Sequence, residues 1–139
     1  MKYKYIDHTA DLKVRAYGKT LEEAFANAAI GGFDFLTDTS KIKRKIEKDI
    51  SIKSKRIEAL LYDFIEQLLF LLDTEGFMIS GFKDMKIKQA KDDFELKCTA
   101  LGDSYKNYEV KGDIKAITYS EMKIEQEKSK VIIQLVFDI

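Results

Sequence analysis

The sequence predicts a single α+β domain in which two helices pack on one face of a mixed or antiparallel β-sheet. Its 139 residues fit one domain, and its apolar fraction of 45% can support a packed core. Two segments show helical periodicity and seven show strand-like patterns, in the order β-β-α-β-α-β-β-β-β. Because the helices do not alternate strictly with the strands, these observations favour α+β over a parallel α/β fold.

The first three elements are predicted from alternation, a capping motif and helical spacing. Residues 2–6 are typical of a short strand, and residues 11–17 alternate apolar with basic side chains, as a half-buried strand does. Thr20 and Glu23 have the spacing of a capping box at the start of a helix. The glycines at 31–32 lie on the apolar stripe of that helix, which indicates close contact between the helix and the sheet.

The remaining elements follow from a second apolar stripe and from alternation near the C-terminus. They are a strand at 44–53, a central helix at about 55–73, and strands at 84–90, 94–100, 113–125 and 130–138. The last two strands are expected to form a hairpin around residues 126–129.

Composition excludes several classes of protein. Lys and Arg together number 24, as do Asp and Glu, so a net charge of zero disfavours nucleic-acid binding through bulk electrostatics. The single Cys98 excludes an intramolecular disulfide and a Cys-rich zinc site, and its place on an apolar strand face is typical of a small core residue. The sequence contains no transmembrane-length apolar run and no signal-peptide core, so we expect a cytoplasmic protein without membrane contact.

Both ends of the chain carry polar groups that merit attention. Asp7, His8 and Asp11 occur within five residues of one another, between the first two strands. Asp138 and the terminal carboxylate on Ile139 end an otherwise apolar strand. Together these oxygen ligands would suit Ca²⁺ or Mg²⁺. Spacing alone does not bring the two ends together, and it favours a simple turn at the first segment and a solvated end residue at the second.

Five segments in this order resemble the archease family over nearly the whole chain. They are residues 7–11 (DHTAD), 18–25 (GKTLEEAF), 58–64 (EALLYDF), 114–119 (IKAITY) and 137–139 (FDI). The family often has His after the Thr-Tyr pair and another shortly before the Lys-Ala segment. This chain has Ser120 at the first of these positions and Asn107-Tyr108 at the second.

The resemblance implies a non-enzymatic protein cofactor of the GTP-dependent tRNA-splicing ligase. Archeases promote guanylylation of that ligase and restore it for multiple turnover, and some are described as chaperone-like modulators of a tRNA cytosine methyltransferase. The family's metal site, usually assigned as calcium, maps onto Asp11, Asp138 and Ile139, with Asp7 as a weaker candidate. No catalytic residue is implied.

Two other functions are compatible with the sequence. A small metal-dependent hydrolase could use Asp7, His8, Asp11 and Asp138, since carboxylate-bound metals can activate water. A general RNA-binding or chaperone module could act through the basic run at 41–48, although such a run is more often the solvated face of a strand. Zero net charge counts against strong direct nucleic-acid binding.

Overall fold

The computed structural model describes residues 1–7 and 11–139, and within them the predicted order of two helices and seven strands is confirmed. The strands are β1 (Tyr3–Ile6), β2 (Asp11–Gly18), β3 (Ile46–Ser54), β4 (Phe77–Gln89), β5 (Phe94–Ser104), β6 (Ala116–Glu127) and β7 (Lys130–Asp138). The helices are α1 (Leu21–Phe33) and α2 (Ile57–Glu75), and short 3₁₀ turns occupy Thr39–Lys41 and Tyr105–Asn107.

The strands form two antiparallel sheets, whereas the sequence patterns predict a single sheet. The four-stranded sheet has the order β1-β2-β7-β6, and the three-stranded sheet has the order β3-β5-β4. Alternation along a strand reveals which side chains face the core but not which strand lies beside it. The α+β class and the antiparallel pairing are therefore confirmed, and the division into two sheets is the difference.

Both helices contact both sheets and share one core with them. Helix α1 packs on β2 and β7 of the four-stranded sheet and on β4 of the other, while α2 packs on β6 and on β3, β4 and β5. The core contains several phenylalanines with no exposed surface, and these are Phe25, Phe33, Phe64 and Phe137. Removal of this apolar surface from water is the main force that holds the two sheets together.

The helix boundaries have identifiable chemical causes. The Glu23 N–H donates to Thr20 Oγ1 at 3.1 Å, as the capping box predicted. The Glu23 carboxylate accepts from the Lys19 N–H at 3.3 Å, one residue before the N–H that the motif would use. Helix α2 ends at Gly76, whose φ of 67° is left-handed and suits a residue without Cβ.

Strand β4 begins at Phe77, well before the predicted start at residue 84. Two register shifts interrupt its pairing with β5, one between Ile79 and Gly81 and one between Lys83 and Lys86. Each shift breaks the apolar–polar alternation, which is why the sequence pattern missed the first half of this strand. Within the described residues, neither helix has the length and apolarity needed to span a lipid bilayer.

Candidate functional site

The start of β2 and the end of β7, which are far apart in sequence, lie side by side in the four-stranded sheet. Strand β2 pairs antiparallel with β7 from Gly18 opposite Val131 to Asp11 opposite Asp138. Residues directly opposite in such a pair point to the same face, with Cβ atoms about 4.5–5.5 Å apart. The structure therefore brings Asp11 and Asp138 together, which spacing along the sequence could not establish.

We call Asp11, Asp138 and Ile139 the chain-end site. Asp138 lies on a central strand, since β6 pairs on its other side with Ala116 opposite Asp138. The Asp138 carbonyl accepts a hydrogen bond from the Lys115 N–H at 2.7 Å. The Asp138 side chain is exposed, whereas Asp11 and Ile139 are partly buried. The backbone is thus fixed while the carboxylate faces solvent.

Packing beneath the site explains why the last strand is ordered to its end. Phe137 has no exposed surface, and it faces Gly32 of α1. A Cβ on Gly32 would lie 2.4 Å from the Phe137 ring, so only glycine permits this approach. The expectation that Gly31 and Gly32 serve helix–sheet packing is confirmed, because a Cβ on Gly31 would also meet Tyr3 at 2.9 Å.

The chain-end site offers ligands of the chemical type that a hard cation prefers. Carboxylate oxygens are the ligands that Ca²⁺ and Mg²⁺ prefer. Across residues 1–7 and 11–139, no group of three or more His, Cys, Asp or Glu side chains is placed to hold a metal ion. The chain-end site offers two such side chains, so a third anionic ligand would be the carboxylate that ends the main chain at Ile139.

Asp7 and His8 are the two candidate site residues that do not belong to the β2–β7 pair. Asp7 is exposed and follows Ile6, which pairs with Lys13, so Asp7 lies at the same end of the β1–β2 hairpin as Asp11. His8, which the hydrolase alternative requires, lies outside the described residues together with 9–10. The geometry of the hydrolase set is therefore not supported.

A bulge in β6 adds groups near the site that the sequence did not indicate. Thr118 pairs with Val136 and Lys123 with Gln134, so the intervening residues of β6 project from the sheet. Glu121 has a φ of 54° in this bulge, and Lys13 Nζ bonds its carboxylate at 2.9 Å. Alternation along β2 places Lys13 on the same face as Asp11. The Lys13 ammonium group, which is bonded to Glu121, therefore lies next to the chain-end site.

A stacked pair of tyrosine rings joins the same bulge to helix α2. The Tyr119 and Tyr62 rings stack with centroids 4.3 Å apart and planes 7° apart, and Tyr119 remains 48% exposed. The Ser120 N–H donates to Thr118 Oγ1 at 3.2 Å. Thus Ser120, which stands where the family often has His, belongs to the bulge of β6.

The other departure from the family pattern has a structural role. The Tyr108 hydroxyl donates to Asp103 Oδ2 at 2.7 Å and accepts from the Lys43 N–H at 2.9 Å. These bonds join the 3₁₀ turn after β5 to the segment before β3. The hydrogen bond from Tyr108 is also the main reason that the pKa of the buried Asp103 carboxyl lies below its usual value.

Cys98 behaves as expected, and the basic run at 41–48 does so in part. Cys98 is buried, and burial raises its thiol pKa to about 12, so it is a core residue and not a nucleophile. The basic run at 41–48 begins before β3, and its Lys43, Arg44 and Lys45 side chains are exposed. This matches a solvated basic segment more closely than a strand face.

Pockets elsewhere on the surface do not include the chain-end carboxylates. One of about 680 Å³ lies between β1 and the segments at 34–41 and 108–111. Another of about 530 Å³ lies beside the C-terminal end of α2. Neither is lined by Asp7, Asp11 or Asp138, so these pockets provide no substrate cleft for a hydrolase built on those residues.

Comparisons with known proteins place the chain among archeases. The model of the archease protein family matches residues 3–139. An archease of Pyrococcus furiosus is 41% identical over 141 residues, which cover 99% of this chain and 99% of that protein. An archease of Methanosarcina barkeri is 36% identical over 140 residues, covering 99% and 96% respectively.

Solved structures agree with the fold. The solution structure of Methanobacterium thermoautotrophicum protein 1598 has a TM-score of 0.83 and 34% identity and covers 99% of both chains. The crystal structure of a Thermotoga maritima archease, described as a possible chaperone, has a TM-score of 0.57 over 98% of this chain and 96% of its own. At 22% identity, the second comparison supports the fold alone.

Proposed function

This chain belongs to the archease family, and from that premise we propose that it activates the GTP-dependent tRNA-splicing ligase in the cytoplasm. In this role it promotes guanylylation of the ligase and restores it for multiple turnover in tRNA splicing and RNA repair. The protein is a cofactor and not an enzyme. The chain-wide match to the family supports this role, since it extends through both segments that form the chain-end site.

The observation that carries the proposal is the direct pairing of Asp11 with Asp138 at an exposed end of the sheet. Two carboxylates this close repel each other, and a divalent cation bound between them would reduce that repulsion. We propose that Asp11, Asp138 and the Ile139 carboxylate hold a divalent cation, Ca²⁺ by analogy with the family. When bound, the cation would neutralise this charge and leave coordination positions open to oxygen ligands of a partner.

The residues of the chain-end site act by holding their carboxylates in a fixed place. The buried Phe137 and the two flanking strands fix Asp138 in place, so the carboxylates reach a partner without further ordering. An exposed acidic end of this kind can bind one conformation of the ligase more tightly than another. The ligase population then shifts toward the state competent for guanylylation, by differential affinity alone.

Membership of the archease family also suggests a second client, because some archeases are described as chaperone-like. We propose that a tRNA cytosine methyltransferase is an additional partner, for which this protein acts as a chaperone or modulator. Binding of that enzyme to the purified protein, measured by calorimetry, tests the client independently of the ligase.

The experiment that tests the main proposal is ligase turnover with RNA in excess over ligase. We expect the wild-type protein to convert about one turnover into many, and Asp138→Ala to abolish this effect while the protein stays folded. Asp92→Ala, which removes an exposed carboxylate in the β4–β5 hairpin, is the matched control and should stimulate fully. Full stimulation by Asp138→Ala would contradict the role of the chain-end site.

The hydrolase alternative is tested with the protein alone. Incubation with nucleotides or phosphoesters in Mg²⁺ or Mn²⁺ should release no product above background. Turnover that is lost in Asp138→Ala would revive that alternative and overturn the proposal that the protein has no chemistry of its own.

A further inference from the structure

Five lysines lie together on the solvent-facing side of the three-stranded sheet. Lys53 and Lys88 flank Glu95 in one cross-strand row, and Lys86 lies opposite Lys97 in the next. Lys83 lies opposite Thr99 in the third row. All five lysines are exposed, whereas Leu96 and Cys98, which alternate with Glu95 and Lys97 along β5, are buried on the other side. We call Lys53, Lys83, Lys86, Lys88 and Lys97 the lysine face.

A bulge in β4 creates this alignment. Residues three apart in a regular strand point to opposite faces, so Lys83 and Lys86 would normally be separated. In β5 the partners of these two lysines, Thr99 and Lys97, are only two apart. The extra residue in β4 restores the phase, and Asp84 takes a left-handed φ of 55° to allow it. The strand thus accepts an uncommon backbone conformation that places three lysines in line.

The charges on this face are incompletely balanced. Lys97 bonds Glu95 at 3.1 Å, and the positive charges of Lys53 and Lys88 act on the same carboxylate. Lys83 bonds Glu47 at 3.0 Å. The exposed Asp49 lies in the same cross-strand row as Lys83, so Glu47, Asp49 and Glu95 oppose the five lysines. Lys86 and Lys97 are directly opposite each other, and like charges in such a pair destabilise a sheet. The lysines on this face thus outnumber its carboxylates, although the whole chain has no net charge.

The composition of the face indicates its partner. Lysine is depleted from protein–protein interfaces, which rely on aromatic and apolar anchors. The large apolar side chains exposed in the described residues are Met1, Tyr5, Phe70, Tyr105 and Tyr119, and none belongs to β3, β4 or β5. Binding to a polyanion needs no such anchor, since lysines neutralise phosphates and release counterions.

We propose that the lysine face binds the phosphate backbone of a nucleic acid. The face offers no aromatic platform for stacking, so it distinguishes neither base sequence nor RNA from DNA. Affinity is modest and falls steeply with salt. The inference rests on the charges of this sheet and does not depend on the proposed ligase role.

The test is fluorescence anisotropy of labelled RNA and DNA strands of about 20 nucleotides with the intact protein. Salt is varied between about 50 and 200 mM, where phosphate contacts change affinity most clearly. We expect the triple variant Lys86→Gln, Lys88→Gln and Lys97→Gln to bind at least about tenfold more weakly at the low-salt end. Each lost contact should reduce the slope of log K against log salt by about 0.7, hence by about 2 in all.

A matched variant controls for net charge. Lys106→Gln, Lys111→Gln and Lys128→Gln remove the same number of exposed positive charges outside the three-stranded sheet and should leave the salt slope nearly unchanged. Equal losses in the two triple variants, or no salt-dependent binding by the wild type, would overturn the proposal. So would equally tight, lysine-face-dependent binding of a polyglutamate of the same length, which would assign the face to an acidic protein. Circular dichroism confirms that each variant is folded.

Discussion

At the scale of single residues, we expect two carboxylates to determine how the chain-end site responds to cations. Asp11 and Asp138 lie directly opposite on adjacent strands, and Asp138 is exposed. Without a cation, this like-charge pair opposes sheet formation by a fraction of a kcal/mol, up to about 1 kcal/mol. With a cation bound to the folded state only, the same pair becomes a source of stability.

Asp138→Asn should therefore have opposite effects in the two conditions. In a chelator, we expect its free energy of unfolding to equal or slightly exceed that of the wild type. With Ca²⁺ at a hundredfold excess over its Kd, the wild type should gain about 2.7 kcal/mol and the variant little. Urea unfolding measures both values. Equal Ca²⁺-dependent gains in the two proteins would exclude Asp138 as a ligand, and Asp92→Asn serves as the exposed-carboxylate control.

Cys98 couples stability to alkaline pH. Burial raises its thiol pKa to about 12 in the folded state, whereas an unfolded cysteine ionises near 8.5. The unfolded state therefore loses its proton first as pH rises. The contribution of the thiol to stability is constant below about pH 8.5 and declines between that value and about 12.

The prediction compares the wild type with Cys98→Ala at about pH 7 and about pH 10. Thiol ionisation should cost the wild type roughly 2 kcal/mol over this interval, in excess of the change in the variant, which has no thiol. Chemical denaturation at each pH measures the difference. Parallel pH profiles for the two proteins would show that the thiol is not protected by burial.

At the scale of elements, α1 positions β7 through a close contact. Gly32 on the helix faces the Phe137 ring, and Phe137 precedes Asp138 on the strand. In an exposed helix, Gly→Ala stabilises by about 1 kcal/mol. Here the added methyl group would lie 2.4 Å from a ring that has no exposed surface, so overpacking should outweigh the helical gain.

Gly32→Ala should reduce the free energy of unfolding by about 1–2 kcal/mol. Phe137→Leu creates space at the same point, so Gly32→Ala should cost little or nothing in that background. A double-mutant cycle measured by denaturation isolates the interaction between the two positions. Additive effects would mean that the helix is not in contact with this ring.

At the scale of the whole molecule, the two sheets give the protein surfaces of different charge. The four-stranded sheet carries the chain-end site, where β2 begins at Asp11 and β7 ends at Asp138. The three-stranded sheet carries the lysine face. Met1 is 90% exposed and lies at the opposite end of the β1–β2 hairpin from Asp11, because Tyr3 pairs with Ala16.

A tag at the C-terminus should therefore impair function more than a tag at the N-terminus. Extension beyond Ile139 converts its carboxylate into an amide and removes one anionic ligand from the chain-end site. We expect the C-terminally extended protein to lose Ca²⁺-dependent stabilisation and ligase stimulation, and the N-terminally extended protein to keep both. Equal behaviour of the two proteins would argue against a terminal-carboxylate ligand.

The sequence by itself determined the elements and the types of side chain available. Alternation in Leu12, Val14 and Ala16 predicts which face of β2 is buried, and all three are buried. The capping box predicts where α1 begins, and the Thr20 hydrogen bond confirms it. These features are local, because periodicity and capping involve residues only a few positions apart.

Tertiary structure alone decided which distant residues meet. Asp11 and Asp138 are far apart in sequence, and only the register of β2 against β7 makes them neighbours. The division into two sheets and the alignment of Lys83 with Lys86 likewise depend on strand pairing and a bulge. A strand's own pattern shows its inward and outward faces but neither its partner nor its offset, and those choices are made by packing over the whole core.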